Sequence, residues 1–209
     1  MSLIATPESG CELPSASITP SALSMLAQRR SCIASQLEAP GPSEDDLRGL
    51  LTLAARVPDH GKLSPWRFIV LRKSPKDSFA KRLSALANED QEKGREVTAK
   101  DFAAIEKLQI PPLSVVVVSR RSECRIPVWE QELSAGAVCM NLLNAACAMG
   151  YGANWITGWY AYDARVDALL GLKEHERIAG YIQLGHIGAP LKERPRCSVD
   201  ELVSEWSQA

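Results

Sequence analysis

Residues 56–68 read RVPDHGKLSPWRF and run directly into the apolar Ile69-Val70-Leu71. Two prolines and a glycine within ten residues prevent regular pairing, so RVPDHGKLSPW is a loop, and the chain becomes a strand from Arg67 to Arg72. The loop holds a cation, an acid, a histidine and a tryptophan. Arg56 and His60 are its ligand-capable groups, whereas Asp59 after Pro58 is ordinary turn chemistry.

The elements on either side follow from spacing. Upstream, Ser43 with Asp46 three residues on resembles a capping box, and Leu47, Leu50, Leu51 and Ala54 follow at helical intervals. Before that, Thr19-Pro20 reads as an N-cap with proline at the first helical position, and Leu23, Leu26 and Ala27 share one face of a helix ending at Arg29-Arg30-Ser31. Downstream, residues 76–108 are helical and charged, with a break near Gly94. Ser114 to Ser119 contains Val115-Val116-Val117-Val118, a buried strand. Residues 131–149 form a helix of small and apolar residues closed by Gly150, a pattern usually buried all round. Ala153 to Thr157 is a short strand, Asp163 to Leu170 a short helix, and Gly180 to Gly185 another strand. Helices and strands intermingle without a strand-helix-strand repeat, so the fold class is α+β, one sheet with helices. Residues 1–17, rich in Ser, Pro, Ala and Glu, form a flexible arm, and residues 18–209 one domain.

Composition excludes several classes. The 209 residues carry a net charge of −1 with both signs dispersed, which is no footprint for nucleic acid or a membrane surface. Six cysteines occur without a Cys-x-x-Cys pair, and only three histidines, so no metal site is expected. The absence of a leader or an apolar run of spanning length, with free thiols, gives a cytoplasmic expectation. No phosphate-binding Gly-rich loop and no nucleophile elbow is present. Gly150-Tyr-Gly152 follows a helix rather than a strand, and its third glycine position holds Trp155, so it is not a dinucleotide fingerprint.

What remains are three basic clusters: Arg29-Arg30-Ser31, Arg56 with His60, and Glu193-Arg194-Pro195-Arg196. Each has a plain reading alone: helix capping, a surface turn, a solvated tail. Adjacent arginines followed by a hydroxyl also suit a phosphate, because a guanidinium offers a planar fork of donors.

The order of these pieces resembles the FMN-dependent nitroreductase family, and its small single-domain NAD(P)H nitroreductase branch in particular. The pattern is RRS (29–31), RVPDHGKLSPWRFIVLR (56–72), WEQELSAGAVCMNLLNAACAMGYGANWITG (129–158), GYIQLGHIG (180–188) and ERPRCSVDELV (193–203). The resemblance implies a three-layer α/β/α sandwich with a mixed sheet, and a homodimer with two FMN sites built from both chains. It implies that Arg29, Arg30 and Ser31 hold the phosphate and ribityl chain and that Arg56 and His60 reach FMN from the loop. It further implies that Trp155, Ile156 and Thr157 line the flavin, and that Arg194 and Arg196 close on the phosphate. The implied activity is ping-pong transfer of hydride from NAD(P)H through FMN to nitroaromatics, quinones or similar electron-poor acceptors. The flavin carries the hydride, so no catalytic side chain is named. Two other readings accompany it. Relatives that use reduced flavin for dehalogenation or flavin cleavage carry an added lid, for which residues 76–110 are the available room. A flavin-free binding dimer is the third. Ile156 stands where the branch often has arginine, and Lys62 where many relatives have asparagine.

Overall fold

A computed structural model describes residues 4–207. The order of elements is α1 (Pro20–Gln28), β1 (Leu37–Glu38), α2 (Glu44–Ala54), β2 (Trp66–Arg72), α3 (Lys73–Glu92), α4 (Ala99–Gln109), β3 (Leu113–Arg120), α5 (Val128–Ala148), β4 (Gly152–Ile156), α6 (Ala164–Leu169) and β5 (Glu176–Ile187). Within the sheet β5 pairs with β1, β3 and β4, and β3 also pairs with β2. Each pairing is antiparallel, so where a mixed sheet was expected the described strands all pair in one sense, neighbours running in opposite directions.

Strand β3 explains why there are three layers. Its valines alternate between the faces, and both faces are covered, so the run is apolar throughout rather than alternating with polar residues. Val115 and Val117 enter a core with Leu47, Leu50 and Ala54 of α2 and Val138, Cys139 and Leu142 of α5. Val116 and Val118 enter a second core with Phe79 and Leu83 of α3, Leu108 of α4, and Tyr160 and Tyr181. Helices thus lie on both faces, and burial in this second core raises the Tyr160 and Tyr181 hydroxyl pKa values.

Helix starts lie where the side chains specify them. Ser43 accepts the Asp46 N–H at 3.1 Å and caps α2. Thr98 and Asp101 form a reciprocal capping box on α4, which begins after the break at Gly94. Helix α5 starts at Val128, three residues before the expected start. Strand β5 starts at Glu176 rather than Gly180, because β3 keeps pairing with it through a bulge: Val117 faces Gly180 and Val118 faces Ile178, leaving Ala179 extra. Helix α1 has its expected Thr19-Pro20 start, yet none of its residues is buried, and Leu23 and Leu26 stand 60% and 54% exposed. Described residues of the N-terminal arm up to Thr19 form no helix or strand.

Candidate functional site

The opening loop is held from four directions. The Asp59 carboxylate accepts the backbone N–H of Leu63 at 3.0 Å and of Ser64 at 2.8 Å. This is the turn role expected of it. Ser134 donates to the Pro58 carbonyl at 3.0 Å, and Arg120 donates to the Ser64 carbonyl at 3.3 Å. Asn141 of α5 donates to the carbonyls of Leu53 at 2.6 Å and Arg56 at 3.3 Å, tying the end of α2 to the loop. Three backbone positions lie at positive φ: Gly61 at 72°, Lys62 at 54° and Ser64 at 46°. For Lys62 and Ser64 this costs on the order of 1 kcal/mol each. Gly61 has a second reason to be glycine, since a Cβ there would run into the Ile126 side chain. His60 Nδ1 lies 2.7 Å from Glu130 Oε2 in the first turn of α5. Glu130, an acid suited to a helix start, gave no signal in the sequence as a partner for His60.

The first and third basic clusters come together, although more than 160 residues separate Arg30 from Lys192. Arg30 Nε donates to the Lys192 carbonyl at 3.1 Å and lies 3.5 Å from Glu193 Oε1. The same Glu193 oxygen is 3.2 Å from Arg196 Nη2 and accepts the Arg194 N–H at 2.7 Å. That backbone hydrogen bond, joined by the Arg196 and Arg30 charges, holds the Glu193 carboxyl below its ordinary range. The guanidinium groups of Arg29 and Arg194 have no partner among the described residues. Arg29 is the C-cap of α1, its backbone N–H donating to the Met25 carbonyl at 2.9 Å, while the Arg30 side chain reaches the tail. Two guanidiniums, those of Arg30 and Arg196, share one carboxylate, and the sequence reading counted Glu193 within its basic cluster without giving it a role. Ser31 follows at the start of an irregular segment, half-buried.

Arg29 and Arg30 border a groove of about 510 Å³ whose other walls include Leu143 and Cys147 of α5 and Gly152 and Ala153 of β4. Strand β4 leads from this groove to Trp155, Ile156 and Thr157. Trp155 is held over the β5 bulge, its indole N–H donating to the Ala179 carbonyl at 3.2 Å. A side chain at position 180 would collide with that indole, which is why glycine follows the bulge. Trp155 remains 38% exposed and flanks a slot of about 460 Å³ with Gly136, Tyr162, Ser119, Asp167 and Arg177. The Ser119 hydroxyl and one Asp167 oxygen there have no hydrogen-bond partner among the described residues, and burial raises the Asp167 carboxyl pKa. Ile156 points to the other face and packs against the second core, so its backbone is what it offers the site.

The second cluster stands apart from the other two. His60 meets α5 at Glu130, and the arginine groove meets α5 at Cys147. At 1.5 Å per residue those contacts are about 25 Å apart along the helix. Within one chain, His60 and the arginine groove lie apart.

The family model described as the nitroreductase family matches residues 26–186. The chain belongs to the nitroreductase family. Relatives support this along most of its length. YdjA of Escherichia coli K12, named as a candidate NAD(P)H nitroreductase, is 34% identical over 169 residues, covering 78% of this chain and 87% of that protein. A Haemophilus influenzae protein named in the same way is 30% identical over 167 residues, with 78% and 87% covered. Among solved structures, a nitroreductase-like protein of Bacillus cereus superposes with a TM-score of 0.74 at 21% identity, covering 91% of this chain and 98% of that one. A candidate nitroreductase of Desulfovibrio desulfuricans in complex with FMN gives 0.67 at 22%, covering 92% and 100%. The solved structures establish the nitroreductase fold, and the family match places the chain among oxidoreductases. The family match ends before Arg194 and Arg196; in the structure Glu193 links the Arg196 side chain and the Arg194 backbone to Arg30.

No helix among the described residues is long and apolar enough to cross a membrane, and no group of metal-ligating side chains occurs among them.

Proposed function

We propose that this protein is an FMN-dependent NAD(P)H oxidoreductase reducing nitroaromatics, quinones or similar electron-poor acceptors, and that it works as a homodimer. One observation carries the reading: guanidinium groups from two distant segments, Arg30 and Arg196, approach one carboxylate beside a groove walled by the start of β4, the strand that leads on to Trp155. That donor set fits a phosphate followed by a flat ring system. Arg29, Arg30, Ser31, Arg194 and Arg196 would hold the phosphate and the adjoining chain, and the segment Trp155–Thr157 would border the ring. When bound, FMN supplies an acceptor for hydride from NAD(P)H and a donor to the second substrate. The protein's share is to neutralise the phosphate, orient the ring and shield it from water. The slot beside Trp155, walled by Tyr162, suits a planar molecule.

The dimer follows from the half-sites. His60 lies too far along α5 to serve the groove of its own chain, and Arg56 belongs to the same loop. A second copy, its α5 antiparallel to the first, brings them to it. The outer face of α5 supports this arrangement. Val128, Trp129 and Leu133 are 42%, 67% and 53% exposed, and a Cβ at Gly136 would meet nothing within 4 Å. In the tail, Val199, Leu202, Val203 and Trp206 are likewise 64–83% exposed, an apolar strip left uncovered by the described residues. Six free cysteines suit a reducing cytoplasm.

The visible spectrum of the purified protein, with FMN added if it is colourless, tests the reading. Bound flavin bands bleached by NADH or NADPH are expected. A protein that takes up no FMN would refute it.

A further inference from the structure

We propose that Glu193 is a built-in competitor for the phosphate-binding arginines and so sets the affinity of this protein for phosphorylated flavin. The proposal rests on the FMN reading above. Its basis is geometric. One carboxylate oxygen of Glu193 sits among three nitrogen donors: Arg30 Nε at 3.5 Å, Arg196 Nη2 at 3.2 Å and the Arg194 backbone N–H at 2.7 Å. A phosphate oxygen held by the same arginines would ask for the same donors. Glu193 lies immediately before Arg194, so the tail carries its own anion next to its cations.

The internal pair is weak enough to be displaced. The Glu193 side chain is 57% exposed and the Arg196 side chain 47%. Exposed pairs of this kind contribute little. A phosphate with close to two negative charges, bound bidentately by several guanidiniums, outcompetes a single solvated carboxylate. Displacing Glu193 leaves Arg30 held by the Lys192 carbonyl, so the tail keeps one tie to α1 while the arginines change partner. The tail is therefore closed on itself without a ligand and closed on the phosphate with one.

The competitor predicts a specific signature for Glu193→Gln. Glutamine can still accept the Arg194 N–H, so the local turn is kept and only the charge is lost. FMN should bind about two- to fivefold more tightly to Glu193→Gln than to the wild type, the range an exposed ion pair spans. Riboflavin, which lacks the phosphate, should bind both proteins equally. Titrations following flavin fluorescence quenching measure both. Unchanged or weaker FMN binding by Glu193→Gln would overturn the proposal and make Glu193 an organiser of the arginines. An equal gain for riboflavin would overturn it too, by removing the link to phosphate. A wild type that binds neither flavin would instead refute the cofactor reading itself.

Discussion

Replacing Glu176 by glutamine tests the energetics of the sheet end that carries β5. Glu176 is the first residue of β5 and is 5% exposed. Its carboxylate takes a two-pronged bond from Arg67 of β2, Nε to Oε1 at 2.8 Å and Nη2 to Oε2 at 2.8 Å, and accepts the Lys173 N–H at 3.0 Å. Arg67 also donates to the Gly171 carbonyl at 3.2 Å. This arrangement, above all the Arg67 hydrogen bonds, lowers the Glu176 pKa from 4.5 to about 2. At 1.36 kcal/mol per pKa unit the shift corresponds to about 3 kcal/mol. The sign is that of a carboxyl depressed on folding: the stabilisation is complete above pH 4.5 and is lost as the pH falls toward 2. Glu176→Gln should therefore lower stability by about 3 kcal/mol near pH 7 and lower Tm by about 6–12 °C. The gap from wild type should narrow steadily below pH 4.5. Denaturant unfolding of both proteins across pH 3–7, with Arg67→Met and the double variant, measures it. A gap under about 1 kcal/mol at pH 7, or one that does not shrink on acidification, would refute the reasoning, as would additive single substitutions.

Three further outcomes are expected. Lys76 is fully buried and its ammonium is held by the Pro111 carbonyl, with burial lowering its pKa to about 8; a cation depressed on folding makes the native state gain stability as pH rises from 8 to 10.5, so Lys76→Met should stabilise the protein by about 1–3 kcal/mol at pH 7 and by less at pH 10, read from denaturant midpoints. Gln131, 2% exposed, spans the loop before α5 by accepting the Ser122 N–H at 2.8 Å and donating to the carbonyls of Ser122 at 3.1 Å and Ile126 at 3.0 Å; Gln131→Leu should cost about 2 kcal/mol or more and speed hydrogen exchange at Ser122. Leu133→Asp, on the open face of α5, should yield monomers by sedimentation and abolish FMN uptake while leaving the far-ultraviolet circular dichroism unchanged.

Much of this was legible in the sequence because it is local. The Ser43 cap, the proline opening α1, the break at Gly94 and the buried valines of β3 are each written within a few residues. The irregular loop at 56–66 was read as a ligand-facing segment, and the structure adds how its backbone is held. What escaped was long-range. The two residues of β1 carry no periodicity to detect. The start of β5 depended on a bulge that only pairing with β3 reveals. Lys76 sits on a charged, apparently solvated helix, and its burial depends on how α3 meets the segment at Pro111. The alliance of Arg30 with Glu193 needed the chain to fold back on itself. The apolar face of α1 signalled a helix correctly but not what covers Leu23 and Leu26, which the described residues leave exposed.

The distance of about 25 Å between the His60 and arginine contacts along α5 has a consequence for mixtures of defective proteins. In the proposed dimer each flavin takes its arginines from one chain and its loop from the other. A chain with Arg29→Ala and a chain with His60→Ala each form homodimers with both sites damaged. Refolded together, they also form mixed pairs, in which one site inherits both lesions and the other inherits none. With random pairing about half the dimers are mixed and about a quarter of all sites are intact. Two preparations that are inactive apart would thus complement each other when combined, a behaviour forbidden to any enzyme whose site lies within a single chain.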